Sequence, residues 1–264
     1  MIRKPVIYIV LILSTVIMSC SSFQKLLKSS DNELKYNKAL EYYEKGYYSH
    51  AQQLFEQIQA FYKGTDKAEK IAYYTANCYY KQKDYILGGY YYKSFSTNFS
   101  SSIYAEEAVY LSAYCSYLES PRSSLDQTST AEAISSLQVF ISTHPKSERV
   151  AECNKLIDEL RAKLEKKDID IAMLYFRMSD YKASVVSLGN VLKDYPDTKS
   201  KELILYSILS AKYQYAINSI SEKRRERLTA ASDAYDELNA GFPVGEYSEK
   251  ALAIKKNISK DLNN

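Results

Sequence analysis

A period of 37 residues most narrows what this chain can fold into. Ala39, Ala76 and Ala113 recur at that interval, and so do Tyr36, Tyr73 and Tyr110. The same step takes Tyr42 to Tyr79, and Tyr43 to Tyr80 and on to Tyr117. Several registers sharing one period over three copies define a repeat architecture, in which each unit stacks on its neighbours. In the first copy, Tyr36-x-x-Ala39-x-x-Tyr42-Tyr43 places a small residue one turn before an aromatic on a helix face. A pause at Lys45-Gly46-Tyr47-Tyr48 follows, and a second helix carries Ala51, Phe55 and Ile58. The second copy repeats this as Ala76, Tyr79-Tyr80, a pause at Lys83-Asp84-Tyr85, then Gly88, Tyr92 and Phe95.

Small residues at the crossing let two antiparallel helices approach, and the large ones fill the space beside them. That order of small, aromatic, turn, small, aromatic is the tetratricopeptide pattern, whose usual length is about 34 residues, so the connections here are slightly longer. A third hairpin begins at Ala105 and runs through Tyr117 into an expanded turn, Ser120 to Thr128, where Ser129 and Glu132 read as a capping box for a helix carrying Ala133, Leu137 and Phe140. A fourth holds Ala172, Tyr175, Ser179-Asp180-Tyr181, Ser184, Leu188 and Val191. A fifth runs from about Ser200 through Ala231, Tyr235 and Leu238, with an extended charged turn around Ile220 to Arg227. Pro145, Pro196 and Pro243 each stand where a second helix should stop. Residues 247–261 read as a polar cap for the open end. With only 7 Gly and 5 Pro in 264 residues, the expectation is an all-α chain: a right-handed superhelix (solenoid) of about five tetratricopeptide-type hairpins with a C-terminal capping helix.

Ahead of the repeats, Arg3 and Lys4 precede an apolar run from Val6 to Val16 and the close Ile17-Met18-Ser19-Cys20. A charged start, a short apolar stretch and a small residue before the cut describe a bacterial secretory signal, and the run is short of the ~20 apolar residues of a spanning helix. A cysteine directly after the small residue resembles a lipobox, which makes Cys20 the acylated first residue of the mature chain. The expected layout is signal 1–19, lipidated linker 20–32, N-terminal half 33–148 with repeats 1–3, and C-terminal half 149–264 with repeats 4–5 and the cap. Without the leader, 33 basic side chains face 32 acidic ones, which argues against nucleic acid as a partner. Cys78, Cys115 and Cys153 show no Cys-x-x-Cys spacing, and His50 and His144 are the only histidines, so no metal site is readable. The three thiols read as small buried residues, with a Cys78–Cys115 disulfide between neighbouring repeats as the alternative.

The mature chain resembles the BamD family, the tetratricopeptide lipoproteins of the outer-membrane β-barrel assembly machine. Beyond the repeats and Cys20, three segments carry the resemblance: the loop Pro121-Arg122 to Asp126-Gln127-Thr128 leading to a helix that ends near His144-Pro145-Lys146-Ser147; a long helix from about Arg149 to Lys182; and Val191 to Thr198. The resemblance implies a scaffold on the periplasmic face of the outer membrane, with no cofactor other than the lipid on Cys20. Its implied partners are a BamA-like barrel subunit at the C-terminal repeats, unfolded outer-membrane proteins at the N-terminal repeats, and other assembly lipoproteins. On the repeat helices, Tyr36, Tyr43, Tyr73, Tyr80, Tyr110 and Tyr117 form a double row. It reads either as a groove for extended, aromatic-ended peptides, which tyrosine suits, or as packing between neighbouring helices. Tyr42, Tyr79 and Tyr175 point into the hairpins as core. Pro121, Arg122, Asp126 and Gln127 are candidates for contact with another subunit, because long loops in compact domains are often functional. No glycine-rich phosphate loop, nucleophile elbow or His-Glu-x-x-His occurs, so no enzyme is expected. The competing reading is another periplasmic adaptor of the same architecture, a pilotin or a coordinator of cell-wall synthesis or hydrolysis.

Overall fold

The computed structural model describes residues 22–263; the leader and Cys20 lie outside them. A helix over residues 22–27 (α1) is followed by α2 (Asn32–Glu44), α3 (Tyr48–Gln59), α4 (Asp66–Lys81), α5 (Tyr85–Asn98), α6 (Ala105–Glu119), α7 (Thr128–Thr143), α8 (Val150–Arg177), α9 (Tyr181–Asp194), α10 (Lys201–Ile217), α11 (Ser221–Gly241) and α12 (Ser248–Asn263). No strand occurs among the described residues. Helices pair chiefly with their neighbours in sequence, as stacked hairpins must. The described residues form two compact units, one of residues 22–121 and 126–160, the other of residues 122–125 and 161–263, so α8 contributes to both.

The crossings are made by the small residues of the repeat. Ala39 and Ala51, Ala76 and Gly88, Ala113 and Ala133, Ala172 and Ser184, and Ala211 and Ala231 are all buried. At Gly88 a Cβ would lie 3.3 Å from the Tyr80 backbone nitrogen and 3.5 Å from Cys115 Sγ, so α5 touches α4 and α6 almost backbone to side chain. Ser184 instead donates its hydroxyl to the Ala172 carbonyl across the hairpin at 3.0 Å. Around these crossings the first unit buries Leu54, Phe55, Ile58, Ile71, Tyr92, Phe95, Leu137, Phe140 and Leu160. The second centres on Leu188, Val191, Ile204, Leu205, Leu209, Leu228 and Leu238, and α12 closes it with Ala251 and Ile258.

One turn is used three times. Gly46, Lys83 and Ser179 have φ of 79°, 65° and 63°. The following amide donates back five residues: Tyr47 to Tyr42 O, Asp84 to Tyr79 O, and Asp180 to Tyr175 O. This left-handed C-terminal cap satisfies carbonyls that the helix end leaves open. The Asp84 and Asp180 carboxylates then cap the next helix, accepting from the amides of Leu87 and Ala183. The opposite ends stop at proline as expected. His144, Tyr195 and Phe242 sit at φ −128°, −128° and −140°, each held by one amide bond to the residue four back. A proline ring ahead forbids the helical ψ there.

Four details differ from the sequence reading. Helix α7 starts at Thr128, so Ser129 is already inside it; the Asp126 carboxylate, not a capping box, takes the Thr128 amide. The long helix ends at Arg177 rather than Lys182, because Ser179 turns left-handed. The fifth turn is three residues long, and Lys223 to Arg227 lie in the first turns of α11. Tyr175 is 38% exposed rather than core. The second unit covers the arc of α8 formed by Ile169, Ala172 and Met173, and Tyr175 lies on its flank.

Cys78, Cys115 and Cys153 are free and buried, and burial pushes the Cys78 and Cys115 thiols up to about 12. All three should resist a thiol reagent at pH 8 in the folded protein and react on unfolding in guanidinium, as followed by mass spectrometry. Lys83 occupies a conformation that costs a side-chain-bearing residue about 1–2 kcal/mol. Lys83→Gly should therefore stabilise the chain by roughly 0.5–1 kcal/mol in chemical denaturation, after the entropy glycine gains unfolded is offset.

Candidate protein-interaction surface

The six tyrosines of the double row are wedged into the seams between helices. Tyr36 and Tyr110 are buried, at 7% and 3% exposure, so neither presents a ring to a ligand. The Tyr36 ring meets Tyr62 and lies under the Lys67 ammonium, 4.7 Å from its centroid. Tyr110 meets Phe140 and lies under the Arg149 guanidinium at 4.1 Å, while Arg149 Nη2 donates to both Glu107 carboxylate oxygens at 2.9 and 2.7 Å. Tyr43, Tyr73, Tyr80 and Tyr117 are half-buried. Tyr43 packs edge-on to Tyr74, Tyr73 stacks on Tyr104 at 4.5 Å, Tyr80 leans on Tyr85, and Tyr117 stacks on Tyr114. These four are partly open to solvent.

The hydroxyls show why tyrosine rather than phenylalanine fills the seams. Tyr62 donates to Glu33, Tyr79 to Glu56, Tyr117 to Glu159 and Tyr195 to Asp168, at 2.9, 2.5, 2.6 and 2.9 Å, each carboxylate lying on another helix. Tyr92, fully buried, donates to Asn77 Oδ1 at 2.6 Å. The long ring thus spans a seam and ends in a charge-assisted bond at its rim. Burial and these acceptors push the phenols up: Tyr43, through burial, and Tyr117, chiefly through Glu159, reach about 12. They remain neutral donors at any physiological pH. Tyr92→Phe leaves the Asn77 carbonyl buried without its donor and should cost about 1–3 kcal/mol by urea unfolding, whereas Tyr90→Phe, on a 64% exposed ring, should change stability by less than about 0.5 kcal/mol.

In the second unit α8 leaves an apolar stripe uncovered. Ile171, Leu174, Tyr175 and Met178 follow the i, i+3, i+4, i+7 spacing of one helix face, at 39%, 48%, 38% and 67% exposure. Four large side chains on one face, outside any core, are more than the scattered surface leucine every protein carries. One turn earlier, Lys167 donates to the Leu125 carbonyl at 2.7 Å. That bond fastens residues 122–125 alongside the stripe, where the Leu125 amide closes a turn onto Arg122 O and its side chain is 48% exposed. The loop flagged in the sequence therefore divides. Arg122 lies exposed in the segment beside α8. Asp126 and Gln127 organise the start of α7: Gln127 is buried and accepts from the Thr130 hydroxyl, which also meets Ser120. Pro121 is half-buried at the start of the third hairpin's turn, just after α6.

The stripe escaped the sequence reading, which placed Ala172 in the fourth hairpin and Tyr175 in its core and singled out no exposed face in the run from Ala172 to Phe176. Its signal was present: that run is apolar on more helix faces than one core can cover. Among the described residues no group of three His, Cys, Asp or Glu is placed to hold a metal ion, and no helix is long and apolar enough to cross a membrane.

Stacked hairpins joined by one recurring turn, with aromatic seams, define a tetratricopeptide-type helical-repeat protein. The chain belongs to the YfiO family of outer membrane lipoproteins, whose sequence profile matches residues 28–228. It is similar to the putative outer membrane protein assembly factor BamD of Aquifex aeolicus (strain VF5), at 26% identity over 176 residues. That match takes in 66% of this chain and 58% of the relative, so the chain spans somewhat more than half the relative's length.

Proposed function

We propose that this protein is a lipid-anchored scaffold subunit of an outer-membrane β-barrel assembly machine. An acyl group on Cys20 holds it on the periplasmic face. The C-terminal unit grips a BamA-like barrel subunit, and the N-terminal unit engages unfolded outer-membrane proteins. It catalyses nothing and needs no cofactor besides the lipid. Membership of an outer membrane lipoprotein family and likeness to a protein named as an assembly factor support this reading.

The observation that carries it is the uncovered stripe Ile171, Leu174, Tyr175 and Met178, with the 122–125 segment fastened beside it. An amphipathic face with no core beneath it gains free energy only when a partner covers it. In the N-terminal unit, the half-open rings of Tyr43, Tyr73, Tyr80 and Tyr117 suit extended segments, each ring offering a flat apolar side beside a polar rim.

Leu174→Glu with Met178→Glu should leave the unfolding midpoint nearly unchanged, since both side chains are exposed. The pair should weaken capture of a barrel subunit with periplasmic repeat domains by at least about tenfold, read by affinity purification from detergent-solubilised membranes with quantitative mass spectrometry. Recovery of pilus or cell-wall components in place of such a barrel would sink the assembly role while leaving the fold untouched.

A further inference from the structure

We infer that the turn end of the first hairpin, carrying Tyr47, rests on the bilayer that holds the lipid anchor, making this end of the N-terminal unit a membrane-contacting surface. The inference rests on the acylation of Cys20 proposed above.

Its starting point is Phe23. That ring is 6% exposed, 4.0 Å from His50 and edge-on to Tyr42 at 5.6 Å. Leu26 and Leu27 of α1 continue the packing onto the first hairpin. The chain is thus fastened to the fold three residues after Cys20. Three steps of about 3.8 Å put the Cys20 Cα within about 11 Å of the Phe23 Cα, whatever path the backbone takes. A lipoprotein on a long polar linker can turn freely above its membrane; a tether this short cannot let the fastened end move away.

The fastened end is the turn end. Tyr42 closes α2 and His50 opens α3, and the Tyr47 ring between them lies 6.1 and 6.2 Å from the two. Tyr47 is 56% exposed on a turn made by Gly46 at φ 79°. An amphipathic ring with an apolar body and a hydroxyl tip belongs at a headgroup boundary. Exposed Lys25 stands on α1, where anionic headgroups would attract it, and Lys45 on this turn, paired with Glu41 at 2.7 Å. The surface continues into the second repeat. Gln82, at the next turn, donates to Gln52 of α3 at 2.9 Å, which sets the two turn ends side by side. There α5 opens with Ile86, Leu87 and Tyr90 at 70%, 39% and 64% exposure. Phe61 and Ile103, 64% and 86% exposed, lie at the connections at the other end of α3 and α5, about 18–21 Å away along those helices.

The test uses the full lipidated protein in vesicles of phosphatidylethanolamine and phosphatidylglycerol. A nitroxide is placed in turn at Tyr47→Cys, Ile86→Cys, Phe61→Cys and Ile103→Cys; the buried native thiols leave the introduced one as the reactive site. Collision with membrane-dissolved oxygen is compared with collision with a water-soluble nickel complex, and mass spectrometry of the same sample reports the acyl group on Cys20. The expected result is an oxygen-to-nickel ratio several-fold higher at 47 and 86 than at 61 and 103. An acylated protein whose four labels meet nickel equally, or whose labels at 47 and 86 are shielded from both reagents as under a protein partner, overturns the orientation and leaves the anchor standing. A protein found in the vesicles without an acyl group overturns the anchor and this inference together.

Discussion

Everything in this fold depends on how closely two helices can cross. At each hairpin the crossing is made by alanine, glycine or serine, and at Gly88 even a methyl group would press on the Tyr80 backbone. Such close crossings leave wedge-shaped seams toward the helix ends, too long for leucine alone. Tyrosine fills them and reaches solvent or a partner at the rim, where glutamate and aspartate of neighbouring helices accept its hydroxyl. The tyrosines of these seams are therefore a consequence of the crossing distance, and Glu33, Glu56, Glu159 and Asp168, which look like solvated surface in the sequence, are the far ends of those seams. Their worth is geometric as much as energetic: a ring pinned at both ends fixes the rotation of one helix against the next.

The hairpins could be read from the chain because their determinants are local. A 37-residue period, a small residue before an aromatic, and a proline after each of the last three second helices need no knowledge of the neighbours. The left-handed turn was partly hidden. Gly46 announces it, but Lys83 and Ser179 take the same left-handed conformation with side chains that seldom adopt it, so their residue type gives no sign of the turn. The start of α7 was misread for a similar reason: several residues there could cap a helix, and the choice of Asp126 follows from where Gln127 and Thr130 are buried.

The binding surface was less visible, since exposure is a difference between what a helix offers and what the fold covers. Periodicity put the six row tyrosines on one helix face, as a groove or as packing; in the structure Tyr36 and Tyr110 are enclosed where helices meet and the others are only half open. The α8 stripe shows the reverse. Ile171, Leu174, Tyr175 and Met178 have the composition of a core, and only the arc taken by Ile169 and Ala172 reveals that the core lies elsewhere.

Helix α8 has a further consequence. Its first turns bury Cys153, Leu156, Ile157 and Leu160 in one unit, and its later turns bury Ile169 and Ala172 in the other. One helix thus supplies core side chains to each unit. Cutting the chain between Ser147 and Arg149, where the sequence offers a break, would strip the first unit of four core side chains. Fraying of its first turns must likewise loosen the first core, and fraying of its last turns the second, so one helix carries two separate points of weakness.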